Sequence, residues 1–419
     1  MRREFITLII IAAAVAHAAA IEWPYRITVY DFAPAPGQFS NVLPQWQNGE
    51  SKEAIVKRVE NELCGYYDEG DPVQGMVSLG GYGGYIVFGF DRPVVNVPGE
   101  YDFQILGNAL KGAETSANAG SSEPGIVMVS VDENGNGVPD DAWYELAGSE
   151  YNNPRTQHDF EITYYKPGDD HVPTKVGRNI LDAYYIRWTS NDRDSLREGY
   201  LEQLSFHAQS YWPGWLDDVT LSFNGAKLPC NYYDESGNGT YIVQHFYDWG
   251  YVDNRPDYRW DCELTDSIRA NCNLGFKIDW AVDEHGNSVN LKKIDFIKVY
   301  TAINQKCGWL GETSTEVAGA FDVHPDAVLP DDPVDGDLNG DGNTNAGDVS
   351  ALYEAILSGN SDPRYDLNSD SSVNAGDVSA LYGIILGSDT GDTANADLND
   401  DGSVNAGDIS TLYAIILGN

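Results

Sequence analysis

Asp337, Asn339 and Asp341 alternate along the chain, so their side-chain oxygens can converge on one point. Gly342 follows where such a loop needs a sharp turn, Asn343 can offer its backbone carbonyl, and Asn345 can hold a bridging water. Asp348 closes the set. Hard oxygen donors at this spacing, without His or Cys, are the chemistry of a Ca²⁺ loop. The pattern returns at Asp366, Asn368, Asp370, Ser372, Asn374 and Asp377, and again at Asp397, Asn399, Asp401, Ser403, Asn405 and Asp408. In the middle copy Ser371 replaces the turn glycine. A side chain in the left-handed region costs roughly 1 kcal/mol, so this site is expected to bind most weakly.

Each loop runs into an amphipathic helix. Val349, Leu352, Tyr353, Ile356 and Leu357 are expected on one face. The same pattern follows at Val378, Leu381, Tyr382, Ile385 and Leu386, and at Ile409, Leu412, Tyr413, Ile416 and Leu417. Gly359, Gly387 and Gly418 supply the stops.

These repeats, from Asp337 to Asn419, resemble dockerin repeats, calcium-binding EF-hand-like modules that plug into cohesin domains. Like dockerin loops they close on Asp rather than Glu. The resemblance implies a small all-α domain, bound calcium and a cohesin domain on a partner protein. It also implies that the residues before the closing Asp take part in partner choice: Ala346-Gly347, Ala375-Gly376 and Ala406-Gly407, identical in all copies. Their identity would permit more than one equivalent docking orientation. Dockerins usually carry two repeats, and this chain has three.

Residues 1–20 read as an export signal: Arg2 and Arg3, an apolar run from Phe5 to Val15, then the small residues Ala16 to Ala20 around His17. The first cysteine is Cys64, too late for a lipid anchor, and no later run is long enough to span a bilayer. The mature chain is therefore expected to be extracellular, held to a surface by its partner. A net charge of −40 argues against nucleic acid. Five cysteines leave at least one unpaired within the chain, and Cys262 and Cys272 are near enough for a local bridge.

Residues 21–324 are rich in Tyr, Trp and short β-prone runs broken by Gly, Asn and Pro. Strands are expected at Gly83 to Phe90, Tyr101 to Leu106, Gly125 to Val131, Asp159 to Tyr165, Ala183 to Trp188, Val219 to Phe223, Tyr241 to His245, Phe276 to Trp280 and Ile294 to Thr301. One helix is expected over Ser51 to Leu63, capped by Ser51. The spacing is that of a mainly β sandwich, followed after a Pro- and Asp-rich linker at 325–336 by the tail domain at 337–419. The runs GGYGGYIVFGFDRPVVNVPGEYDFQILGNAL, SSEPGIVMVSVDENGNGVPDDAWYEL and GFKIDWAVDEHGNSVNLKKIDFIKVYTAI resemble secreted bacterial cell-surface proteins with a lectin-like jelly-roll β-sandwich. That leaves an elaboration near 155–273.

Asp132, Asn134, Asn136 and Asp140 resemble a further calcium loop, although Trp143 stands where a twelfth-position carboxylate belongs. An Asx-rich turn explains the same residues. A glycosidase would need two carboxylates flanking a bond, one kept protonated. Glu123, Asp217, Asp218, Asp248, Asp261 and Glu263 lie near aromatics, but nothing selects a pair, and no GxSxG, HExxH or phosphate-loop motif occurs. Trp212, Trp215, Trp249 and Trp260 lie in aromatic clusters with turn residues or carboxylates and suit sugar faces; a core role is the alternative. The leading reading is a non-catalytic protein that binds a carbohydrate or another surface ligand. A polysaccharide hydrolase and a structural surface component are the alternatives.

Overall fold

The computed structural model describes residues 26–63, 75–112, 118–193, 197–256, 275–327, 329, 338–339, 344–360, 363–365, 367 and 372–385. The chain divides into two compact units, Met1–Ala327 and Val328–Asn419. The first is mainly β.

Its largest sheet has six antiparallel strands in the order Ile27–Ala33, Tyr85–Phe90, Phe296–Thr301, Gly125–Ser130, Trp143–Leu146 and Ala281–Val282. The central strands are near-continuous apolar runs because both faces are covered: YIVFGF is buried from Ile86 to Phe90. A three-stranded sheet, with Phe103–Leu106 between Gly275–Phe276 and Gly319–Asp322, contributes to the same core. So does the helix Lys52–Leu63, which buries Ile55, Val59 and Leu63. Ser51 Oγ accepts the Ala54 N–H at 3.4 Å, the expected cap.

The elaboration forms a sheet of its own: Glu198–Leu204, Ile180–Ser190, Gln157–Tyr165 and Thr220–Lys227, in that order. Period-two alternation turns Phe160, Ile162 and Tyr164 inward, where they meet Tyr82, Trp188, Tyr211 and Trp212 in a second core. A third small sheet joins Tyr232–Asp234, Ile242–His245, Ala119–Ser121 and Leu110–Lys111. Six separate antiparallel sheets, rather than the two four-stranded sheets of a jelly roll, thus carry the described strands. Apolar periodicity marks strands but not their partners, so the mainly β class was legible while the sheet arrangement was not. The expected strand at Phe276 to Trp280 stops after Phe276 and becomes a 3₁₀ turn, Ile278–Trp280, with Asp102 Oδ2 accepting the Ile278 N–H at 2.7 Å.

In the second unit, helices Ala346–Ser358 and Ala375–Ile385 share a core of Val349, Leu352, Ala355, Tyr365, Val378 and Leu381. Leu357 departs from expectation: it is 85 % exposed, and Ala355 fills the face instead. At 100° per residue, Leu357 lies about 140° from Leu352, whereas Ala355 follows it at the i+3 position that helices bring together. Gly359 ends the first helix in the left-handed region, with φ 69°.

Candidate functional sites

In the first repeat the described candidate ligands are Asn339, Asn345 and Asp348. Asp348 sits in the first turn of its helix and is completely buried. Its Oδ2 accepts the Asn345 N–H at 2.7 Å, and its Oδ1 accepts the Asn339 N–H at 3.0 Å. Asn345 Oδ1 in turn accepts the Gly347 N–H at 2.8 Å. This capping box anchors the end of the loop to the helix. The second repeat repeats the device. Asp377 is completely buried, its Oδ2 accepts the Asn374 N–H at 2.7 Å, and Asn374 Oδ1 accepts the Gly376 N–H at 2.8 Å. Ser372 is the third described ligand position there. Asp337, Asp341, Asn343, Asp366, Asn368, Asp370 and Ser371 lie outside the described residues, as do Asp397, Asn399, Asp401, Ser403, Asn405, Asp408, Ala406 and Gly407. The donors present fit a hard cation. They are oxygens only, and the closing carboxylate is buried at a helix N-terminus, which favours negative charge.

The loop at Asp132 is fully described. Asp132 accepts the N–H groups of Asn136 at 3.1 Å and Gly137 at 2.9 Å, and Asp140 accepts the side-chain amides of Asn134 and Asn136. The loop therefore closes on its own hydrogen bonds. Two relatives of it lie in the same unit, at Asp234-Glu235-Ser236-Gly237-Asn238 and Asp283-Glu284-His285-Gly286-Asn287. In these the leading Asp accepts Gly239 N–H at 2.7 Å and Asn287 N–H at 2.8 Å respectively. Gly135, Gly237 and Gly286, each fourth in its loop, have φ of 69°, 66° and 79°. The recurrence of Asp-Glu-x-Gly-Asn was visible in the sequence and marks one turn used three times.

Glu123, Asp253 and Glu316 were not legible as a group. One carboxylate oxygen from each lies within 4.8 Å of the others. Asp253 takes φ 55° and accepts Asn108 N–H at 2.8 Å and Glu316 N–H at 3.0 Å. Glu123 accepts Ser314 N–H at 3.2 Å, and Glu316 accepts the Ser314 hydroxyl at 2.7 Å. Burial, then the neighbouring Glu316 and Asp253 carboxylates, push the Glu123 carboxyl well up. Burial also raises Glu316. Such a group favours shared protons over charge. Of the other carboxylates singled out, Asp217 and Asp218 are exposed, Asp248 is exposed and 3.6 Å from Arg255, and Asp261 and Glu263 lie outside the described residues.

The tryptophans divide. Trp212, expected on an exposed loop, is only 2 % exposed and belongs to the second core. Trp215 is half-buried and stacks on Phe32 with centroids 5.9 Å apart. Both obey the general tendency of large rings to fill cores. Trp249 is 37 % exposed and leans on Trp280 at 4.5 Å. Trp260 lies outside the described residues.

Among the clefts formed by the described residues of this unit, two bear on the question. One, of about 590 Å³, is lined by Asn41, Gln45, Trp46, Lys166, Gln209 and Trp212 among others, and by no carboxylate. The other, of about 370 Å³, is lined by Asp31, Glu53 and Glu60 with Lys52 and Lys57. Burial works to raise Asp31 and Glu60. Bonds from Lys52 and Tyr85 to Asp31, and from Lys57 and the Val29 N–H to Glu60, outweigh it and hold both carboxyls below their usual range. Glu53 is lowered as well, chiefly by the Ser51 hydroxyl.

A family model for the dockerin type I domain matches residues 364–417. The matched span holds the second and third loops and leaves the first repeat outside. Dockerin type I domains bind calcium and attach their carriers to cohesin domains. No curated protein matches the chain. No helix among the described residues is long and apolar enough to cross a membrane.

Proposed function

We propose that this chain is an exported, non-catalytic binding protein. Its β-rich unit recognises a carbohydrate or another surface ligand, and its tail fastens it to a cohesin-bearing partner in a calcium-dependent way. The observation that carries the reading is the pair of buried closing carboxylates at oxygen-donor loops, Asp377 inside the span that matches a dockerin and Asp348 in the like repeat before it. With calcium bound, the cation would supply the charge that gathers the side chains of each loop. The residues themselves hold the loop ends to the helices and present Ala346-Gly347 and Ala375-Gly376 on the first helical turns. The same account covers Asp397 to Asp408 and Ala406-Gly407 in the third loop. Residues 1–20 act as the export signal.

The non-catalytic part draws support from the clefts. The carboxylates lining the smaller one are held ionised, so none stands ready as an acid, and the larger one is lined by none. Glycoside hydrolysis needs a protonated and an ionised carboxyl on either side of the bond. The hydrolase alternative draws on Glu123, whose carboxyl burial and the neighbouring Glu316 and Asp253 push well up, but none of the three lines either cleft.

The test is binding of the full chain to immobilised type I cohesins in calcium and in excess chelator. Capture in calcium that is released by chelator is expected. Equal capture in both, or none by any cohesin, would overturn the attachment role. Reducing-sugar release from polysaccharides by the full chain, lost in Glu123→Gln, would overturn the non-catalytic part.

A further inference from the structure

We propose that the larger cleft is a binding site for an acidic saccharide, a sugar chain bearing anionic groups. The inference rests on the recognition role proposed above and specifies its ligand.

The cleft is built rather than incidental. Asn41 is buried, and its side chain ties two distant segments together. Its Nδ2 donates to the carbonyls of Ser210 at 2.7 Å and Trp212 at 2.9 Å, and its Oδ1 accepts the Gly214 N–H at 2.8 Å. One amide therefore fixes the whole 210–214 loop beside residues 41–46. Gly214 lets the Trp46 ring lie against that loop, since a Cβ there would come within 2.6 Å of the ring. A site held in place before the ligand arrives loses less entropy on binding.

Its lining suits a sugar. Trp46, half-buried, supplies ring surface, while Gln45, Gln209 and Ser210 supply polar groups. Sugars present apolar C–H faces and hydroxyls together, and a mainly apolar cleft with a few placed polar groups is how small ligands are held. The Trp212 indole N–H in this wall is buried and has no acceptor among the described residues.

Charge selects the class. The chain carries −40, yet among the described residues lining this cleft Lys166 is the one that is charged. Its Nζ donates to the Leu216 carbonyl at 3.3 Å and stands 5.9 Å from the Trp212 ring centroid. Among the described residues no carboxylate pairs with it. An unpaired cation in an otherwise neutral cleft favours an anionic ligand and repels a cationic one.

The test uses the full chain in calcium, titrated calorimetrically with oligogalacturonate, a neutral xylo-oligosaccharide, dextran sulfate and polyglutamate. Oligogalacturonate and dextran sulfate are expected to bind at least about tenfold more tightly than the neutral oligosaccharide and polyglutamate, and less tightly as salt rises. Lys166→Glu alters an exposed side chain and is expected to abolish that preference with the melting temperature unchanged. Gln45→Ala, also exposed, should weaken every saccharide that binds. Equal affinity for the acidic saccharides in Lys166→Glu, or equal or tighter binding of polyglutamate, overturns the proposal. Binding of a neutral glycan that both variants retain also overturns it while leaving the recognition role standing. Failure to bind any glycan across an array overturns both.

Discussion

Asp348 and Asn345 hold each other in place: the Asp348 carboxylate accepts the Asn345 N–H at 2.7 Å while the Asn345 side chain caps the same helix. The bond recurs between Asp377 and Asn374 at the same length. One side chain thus serves the helix end and the closing position of the loop, so helix stability and cation capture should be coupled.

That coupling can be measured. In excess chelator, Asp348→Ala should lose about 1 kcal/mol, the worth of a capping interaction. In calcium at about a hundred times the wild-type Kd, the wild type should gain about 2.7 kcal/mol, and the variant should gain much less. Thermal melts of the full chain followed by helical circular dichroism, with and without calcium, give both numbers. Equal calcium gains in the two proteins would separate Asp348 from the site.

The two leucines of the first tail helix should behave in opposite ways. Leu352→Ala removes a fully buried side chain and is expected to cost about 2–5 kcal/mol. Leu357→Lys changes a side chain already in water and should stay within about 0.5 kcal/mol. Denaturant midpoints of the tail transition would check the contrast.

Buried carboxyls in the β-rich unit should make it lose stability as pH rises. Burial pushes both Glu312 and Glu145 up to about 7, and it raises Glu316 and Glu123 as well. Unfolded, each would titrate near 4.5. Folding therefore takes up protons between these values. The stabilisation is full below about pH 4.5 and is lost as pH climbs through 7. The melting temperature of this unit should fall between pH 5 and 8, and Glu312→Gln should flatten the slope. A midpoint that rises over that range would contradict the assignment.

Asn41→Ala should strip partners from Ser210, Trp212 and Gly214 at once. A loss of about 1–3 kcal/mol is expected from the groups left unsatisfied. Intrinsic tryptophan fluorescence should shift to the red as the loop loosens. Asn41→Asp, which turns two donors into acceptors facing carbonyls, should be no better tolerated.

The tail helices were the most legible part of the molecule. Cap, apolar stripe and stop are contiguous there, so they all fall within a few turns of chain. Asp348, Asn345 and Gly359 stand where local spacing put them. Most expected strands were legible for the same reason, since period two and buried apolar runs are local signals. The triple Asp-Glu-x-Gly-Asn turn was equally open to reading.

What the chain order could not disclose is whatever depends on long-range pairing. Glu123, Asp253 and Glu316 become neighbours only because separate strands and loops fold together. Trp212 reads as an exposed loop residue beside Pro213 and Gly214, yet it is buried in the second core with Tyr211 and the elaboration sheet's Phe160, Ile162 and Tyr164. The cleft of Trp46 and Lys166 depends on tertiary bonds such as those from Asn41 to a loop about 170 residues away. Local spacing determined the loops, helices and strands. Tertiary structure decided which faces were covered, because burial depends on what another part of the chain brings to the surface.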